Sequence, residues 1–448
     1  MNPSRPRPGP PTRLGVARAL TATTAVAAAL STAVLAGPAL AAPAAGNDPA
    51  WESAWPGGEV AGGSTWLRGS VIDPATGDVL TLGHHSVLPG ENRLRRVSGA
   101  TGATLWEVGL PGGPGEAALA QDPAAERTVV AGRDASSEAV VVHSVASDGT
   151  LSWTREVVGK GYPLELVVDP RTGTSCLSSR YWTEGRTATW HLTCLDRAGT
   201  TTLSESYTHR GPGTLPVLAV DPDRQRWYVA GMHHTKGGER LVLLAYDAAG
   251  GREWKRVRDR RGAYESRVSA IAVDPRSHRV HVGAAVFRPN QGTKNQAKKN
   301  LGTLTTWNAA GRLASDRRWS SRHSQGVLDL EVDPGSHRLF AATATARLGT
   351  SLRLMSSDGR LKKVVRHDRV PGIGTARLAV DAERRQVLVG AQSVGAYTWG
   401  GKRVWRDTSQ NRQVSDVDHD VDRGRLVVGW KSMDDLGSQR AWVTAWES

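Results

Sequence analysis

Two histidine pairs, His84-His85 and His233-His234, and four acids, Glu116, Glu165, Asp329 and Asp416, are the residues of this chain whose types and spacing could do chemistry. Neighbouring imidazoles can hold a metal or pass a proton near neutral pH. Carboxylates that face one another can hold a metal cation, a cationic sugar or an amine, and titrate above their usual range when unpaired. Each group also has a plainer reading. The histidines would be solvated loop residues, since no carboxylate–histidine spacing of a metal site accompanies them, and the acids would pair with Arg267 or Arg377. A further run, Asp416-Val417-Asp418-His419-Asp420-Val421-Asp422-Arg423-Gly424, resembles a calcium loop in its alternating acids but lacks the D-x-D-x-D-G order and the distal Glu. Strand alternation sends Asp418 and Asp420 to one side and leaves His419 where an apolar residue normally stands. No G-x-S-x-G, Walker loop, H-E-x-x-H or kinase set occurs.

The elements that position these residues follow from an internal repeat. A phrase such as Val71-Ile72-Asp73-Pro74 or Leu218-Ala219-Val220-Asp221-Pro222, followed by a second short apolar run, occurs eight times. The marker acids Asp73, Asp122, Asp169, Asp221, Asp274, Asp333, Asp381 and Asp420 lie 49, 47, 52, 53, 59, 48 and 39 residues apart. That period suits a four-stranded blade. Asp accepts local N–H bonds and Pro presets the turn, so the dipeptide joins a first strand to a second. A third strand leads to another turn, as in Ser147-Asp148-Gly149-Thr150 or Ser357-Asp358-Gly359-Arg360, and a fourth follows, often bearing Trp: Trp106, Trp153, Trp254 and Trp405. Helical periodicity is absent. The expected fold is therefore all-β, an eight-bladed β-propeller of four-stranded antiparallel blades, with seven blades as the alternative count.

Ring closure leaves its own trace. Trp51-Glu52-Ser53-Ala54-Trp55-Pro56-Gly57-Gly58 resembles Trp106-Glu107-Val108-Gly109-Leu110-Pro111-Gly112-Gly113, so the first copy reads as an outer strand. The last repeat stops after its third strand, Ala441 to Trp446. Residues 50 to 55 are expected to supply its missing fourth, which removes the free edges of an open ring. Thr-Gly and Asp-Gly turns leading to Trp, counted eightfold, are similar to the quinoprotein-type (PQQ-like) propeller superfamily. The resemblance covers almost the whole repeat region and implies an architecture rather than one function, since that superfamily includes dehydrogenases, scaffolds and ligand binders. Its alcohol dehydrogenases carry adjacent cysteines and a calcium-bound quinone. Here the cysteines are eighteen apart and the chain is shorter.

In such a ring the first strand of each blade lines the channel. The Asp-Pro turns lie on one face and the loops between second and third strands on the other. Arg127, Arg226, Arg279, Arg338 and Arg425, each five residues after its marker Asp, are expected to pair with it inside the hairpin. The variable loop face and the channel mouth are where binding residues would gather. Glu165, Asp329 and Asp416, four residues before their markers, would ring that mouth, with Glu116 slightly earlier. Lys294, Lys298 and Lys299 in the long loop of the fifth repeat, with Arg256, Arg258, Arg260 and Arg261, would form either a basic patch for an anionic polymer or a solvated loop.

The chain opens with Arg5, Arg7, Arg13 and Arg18, runs apolar from Ala19 to Leu35, and reaches Ala39-Leu40-Ala41. That order predicts a signal peptide over 1–41, a linker over 42–49 and the propeller over 50–448. No later run is long enough to be a spanning helix. The formal charge of +14 leaves about +10 after cleavage. Cys176 and Cys194 stand symmetrically about Thr183-Glu184-Gly185-Arg186. In an oxidising compartment a cross-strand disulfide is expected, with buried free thiols the alternative. The expectation is a secreted monomeric recognition or scaffold module, non-catalytic and without cofactor, for an extracellular polymer or protein, an anionic one among the candidates. No nucleic-acid partner is expected. The alternative is an exported enzyme, a quinone- or metal-dependent oxidoreductase or a lyase or lactonase, with its site at the channel mouth.

Overall fold

A computed structural model describes residues 49–447 apart from short connecting segments, the longest being 56–64, 289–298 and 369–375. The expected signal peptide and almost all of the linker lie outside the described residues, as do Lys294 and Lys298. Eight four-stranded antiparallel sheets make up the fold, and the seven-bladed alternative is excluded. In chain order the innermost strands are Thr65–Ile72, Ala118–Asp122, Tyr162–Val168, Val217–Asp221, Arg267–Val273, Ser324–Val332, Arg377–Asp381 and Gln413–Asp420. Each touches the innermost strand of the next blade, and the eighth touches the first. The closing strand is Trp51–Ala54, which pairs antiparallel with Gln439–Glu447, Trp51 opposite Ala445. Among the described residues the sole helical piece is the short 3-10 turn Pro123–Ala125.

The repeated residues fasten blade to blade. Every marker Asp is almost fully buried. The fourth residue after it has positive φ in all eight turns: Gly77, Glu126, Gly173, Gln225, His278, His337, Arg385 and Gly424. Two of these reach back to the preceding blade, His278 Nδ1 to Asp221 Oδ2 at 2.9 Å and His337 Nδ1 to Asp274 Oδ1 at 2.8 Å. The arginines behave differently from expectation. Arg127 does bond its own Asp122 at 3.1 Å, and it also donates to Arg197 O in the next blade's outer turn at 2.7 Å. Arg226, Arg279 and Arg338 instead donate across the blade boundary, to the carbonyls of Ala309, Ser357 and Trp399 in the next blade's outer turn. Their guanidinium groups are long enough to bridge blades, and the Asp oxygens are already taken by turn N–H groups. Tryptophans of the outer strands use the same carbonyl position: Trp106 Nε1 donates to Ser147 O at 2.8 Å and Trp153 Nε1 to Arg197 O at 3.0 Å. Packing between blades half-buries these aromatics against the buried Val, Leu and Ala of the middle strands, and each hydrophobic cluster is shared between neighbouring blades.

Cys176 and Cys194 are directly opposite in the second and third strands of blade 3, with Cα atoms 4.0 Å apart, and stand at disulfide distance. Among the described residues no helix is long and apolar enough to cross a membrane.

Candidate functional site: the channel and its mouth

An innermost strand has a partner on one side only, so its channel-facing N–H groups need acceptors. The channel acids supply them, each reaching forward by one blade. Glu165 accepts the N–H of Leu218 at 2.5 Å, Asp329 that of Leu378 at 2.8 Å, and Asp416 that of Ser70 at 2.8 Å. Asp418, two residues further along the same strand, accepts from Ile72 at 2.8 Å. Asp329 and Asp416 also take the N–H of the residue that follows each of them.

Arg377 is the cation these acids share. Its charge acts on Asp329, Asp416 and Glu165 together, and they hold its proton more firmly than usual despite burial. Arg267, the other expected partner, is exposed on blade 5. Removal from water remains the dominant influence on the carboxylates. It raises Glu165 to about 7 and Asp418 to about 6, against the opposing pull of the Leu218 and Ile72 N–H groups, and it raises Asp329 and Asp416 as well. Glu331, missed in the sequence, is raised well above the carboxylate range by burial and by the charges of Asp329 and Asp418. It stands two residues after Asp329 on one strand, and the period-two rule would have placed it on the same channel-facing side. At the turn-face end the channel opens into a cavity of about 420 Å³, lined by Ile72, Gln121, Val168 and Asp418.

At the loop face Glu116 is exposed, and its charge acts on Arg68 of blade 1 and Arg180 of blade 3. His84 is buried in blade 1, while the side chain of His85 lies outside the described residues. His233, in blade 4, meets the hydroxyl of Tyr207 at 3.1 Å and stacks on His209 with ring centres 5.3 Å apart. Burial lowers its pKa, and Arg240, Lys255 and His234 add to the effect. His234 Nδ1 lies 3.8 Å from Glu239, whose carboxylate is buried and accepts the Ser266 N–H at 2.6 Å. Thus the two pairs belong to separate blades with separate neighbours.

His419 lies 3.5 Å from Asp381 of the preceding blade, which explains a histidine at an apolar strand position. Asp418 and Asp420 differ in surroundings, the first on the channel and the second in the turn, where it meets Arg423 at 3.2 Å. Between blades 6 and 7, Ser393, His367 and Asp368 form a buried cluster that sequence motifs did not announce. Ser393 Oγ donates to Asp368 at 2.5 Å, and Arg406 Nε donates to Ser393 Oγ at 3.0 Å. His367 is held by Tyr397 at 2.9 Å and by the Ser393 carbonyl at 3.0 Å. His367 Nε2 also lies 3.2 Å from Ser393 Oγ, so serine, imidazole and carboxylate are mutually bonded, and all three side chains are shut from solvent, which makes the set a structural tie.

Among the described residues the one trio of potential metal ligands close enough to share an ion is Asp221, Asp223 and His278 on the turn face, where Asp223 is paired with Arg171. A calcium-bound quinone of the dehydrogenase kind does not fit the channel. The cysteines face each other across two strands of one blade, and the channel acids are directed into neighbouring backbone.

No family model matches the chain, and no curated protein matches it. Solved structures do. Saccharomyces cerevisiae Sqt1 aligns over 86% of this chain and 97% of its own with TM-score 0.58 at 11% identity. The C-terminal WD40 domain of Sif2 aligns over 85% and 96% with TM-score 0.56 at 13% identity. Kuenenia stuttgartiensis hydrazine synthase aligns over 72% and 93% with TM-score 0.50 at 14% identity. At these identities the likeness is one of fold, and this chain is an eight-bladed β-propeller.

Proposed function

We propose that this chain is a secreted, non-catalytic, monomeric propeller of the quinoprotein-type architecture, acting as a recognition or scaffold module for an extracellular or cell-wall ligand. One observation carries the reading. The acids best suited to chemistry each accept an N–H of the next blade and lie within the field of one arginine, so they serve to tie the ring together. The outer-strand tryptophans that dock on the next blade's glycine turn support the affiliation, and the basic, apolar, Ala-Leu-Ala opening of the chain supports export.

The second reading, a propeller enzyme with its site at the channel mouth, draws on Glu165, whose pKa near 7 would suit a general base. Fractionation of producing cells tests the first reading. A chain beginning at Ala42 is expected in the medium or on the wall, and recovery of the uncut chain from the cytoplasm overturns it.

A further inference from the structure

The outer strands of the eight blades form the rim of the ring, and their charge is divided between two halves. In blades 4 to 7 these strands are Arg252–Arg261, Leu313–Ser321, Leu361–Arg366 and Arg403–Asp407. By sequence they hold thirteen Lys or Arg against four Asp or Glu. The outer strands of blades 8, 1, 2 and 3 hold two against four. Basic residues on an edge strand guard against strand-to-strand aggregation. That need is equal in all eight blades, so it does not explain a cationic half.

Some of the charge is internal. Arg260 is buried and, with Arg258 and Arg318, surrounds Asp316. Outside that cluster several basic side chains have no ion-pair partner among the described residues, although the charge of Arg317 acts on Asp358. Arg317, Lys362, Arg366 and Arg403 are exposed and have no carboxylate at ion-pair distance among the described residues. Lys363 bonds to a carbonyl, which leaves its charge in place, Nζ donating to Gly400 O at 2.9 Å, and Arg338 from the turn before the second strand of blade 6 donates beside it to Trp399 O at 3.2 Å. These two, with Lys362 and Trp399, line a groove of about 540 Å³ between blades 6 and 7.

The same four strands also expose apolar side chains between the cations: Val257, Leu313, Leu361, Val364 and Val404, each more than a third exposed. Eight blades turn the rim by about 45° per blade. A flat bilayer would touch such a convex surface at one or two blades. A flexible linear polymer can follow all four.

We propose that the rim of blades 4 to 7, anchored at the groove between blades 6 and 7, binds a linear polyanionic glycan, whose anionic groups meet the exposed Lys and Arg and whose C–H faces meet the apolar side chains between them. The proposal rests on the reading of the chain as an extracellular recognition module and names its ligand class.

Calorimetric titration of the mature chain with heparin, polygalacturonate, polyphosphate and neutral dextran tests it. Both anionic glycans should bind, polyphosphate at least fivefold more weakly, dextran not at all, and added salt should weaken binding. The double variant Lys362→Glu/Arg366→Glu should weaken heparin binding tenfold or more. The variant Leu105→Glu/Leu151→Glu/Arg155→Glu, which changes net charge equally on the rim of blades 1 and 2, should shift it less than twofold. Leu361→Ser/Val364→Ser should weaken heparin several-fold and leave polyphosphate unmoved. Equal effects of the two charge variants, or none from the first, overturn the rim site. Polyphosphate binding as tight as heparin, with no effect of the serine variant, overturns the glycan. Heparin binding that ignores the rim while the chain is recovered outside the cell sinks this proposal alone. A cytoplasmic chain whose rim still discriminates sinks the reading of the chain as extracellular.

Discussion

The indole N–H of Trp51 donates to the carbonyl of Gly99 at 2.7 Å, and the ring lies against Gly102. Trp51 belongs to the strand that completes blade 8, and both glycines belong to blade 1, so this is the seam where the ring closes. Gly102 has φ of +73°, and a Cβ there would lie 2.7 Å from the indole. Gly102→Ala should therefore cost about 2–4 kcal/mol, combining left-handed strain with overpacking against a ring pinned by its hydrogen bond. Gly335→Ala, where a Cβ has only Asp333 at 3.8 Å, should change stability by less than about 0.5 kcal/mol. Urea unfolding of the two variants makes the comparison, and equal midpoints would refute the seam.

Asp274 ties two blades through one carboxylate. It accepts the N–H of Arg276, the hydroxyl of Ser277 at 2.5 Å and the imidazole of His337 in blade 6. Asp274→Ala strands those donors in a buried site and should cost about 3 kcal/mol. His337→Gly loses one bond but relieves a positive φ of 58°, and should cost about 1 kcal/mol. The order of the two midpoints checks the assignment.

The pH dependence has two opposed limbs. Asp122, Asp274 and Asp316 have lowered pKa values through their Arg, Ser and His partners, which outweigh burial. Their contribution is present above the ordinary Asp value and is lost as pH falls below it. Glu165 and Asp418 are raised by burial to about 7 and about 6. The unfolded chain releases these protons first, so stability falls as pH climbs from the ordinary carboxyl value to those pKa values, and levels off above them. The melting temperature should peak near about pH 4–5. Glu165→Gln, which keeps an acceptor for the Leu218 N–H, should flatten the neutral limb, a change on the order of 1–3 kcal/mol. A profile that rises steadily from pH 4 to 7 would contradict the channel assignment.

The Cys176–Cys194 pair closes a loop of 18 residues, and removing such a cross-link should cost about 3 kcal/mol. Thiol titration of the unfolded, unreduced chain should find no free thiol. Cys176→Ser/Cys194→Ser should lower the urea midpoint, and an unchanged midpoint would reduce the bridge to a bystander.

Much of this was legible in the residues alone, because strand period, Asp-Pro turns and Gly-Trp spacing are local signals repeated eight times. The closing strand could be read from the likeness of Trp51-Glu52 to Trp106-Glu107. What eluded the sequence lies between blades. Spacing put Arg226, Arg279 and Arg338 beside their own Asp, whereas their length carries them to the next blade's turn. The Ser393, His367 and Asp368 cluster joins residues from separate connections, with no fixed spacing to betray it. The acids Glu165, Asp329 and Asp416 were placed at the channel by counting back from the marker. Their use as acceptors for the neighbouring strand required the ring itself.

The central claim is that an exported chain uses its ionisable channel residues to hold the ring together and carries no reaction centre. Native mass spectrometry of the protein recovered from the culture medium tests it most directly. The account predicts one species, a monomer of residues 42–448, two hydrogens lighter than the reduced chain, with neither metal nor quinone attached. A stoichiometric metal or quinone on that species would contradict it.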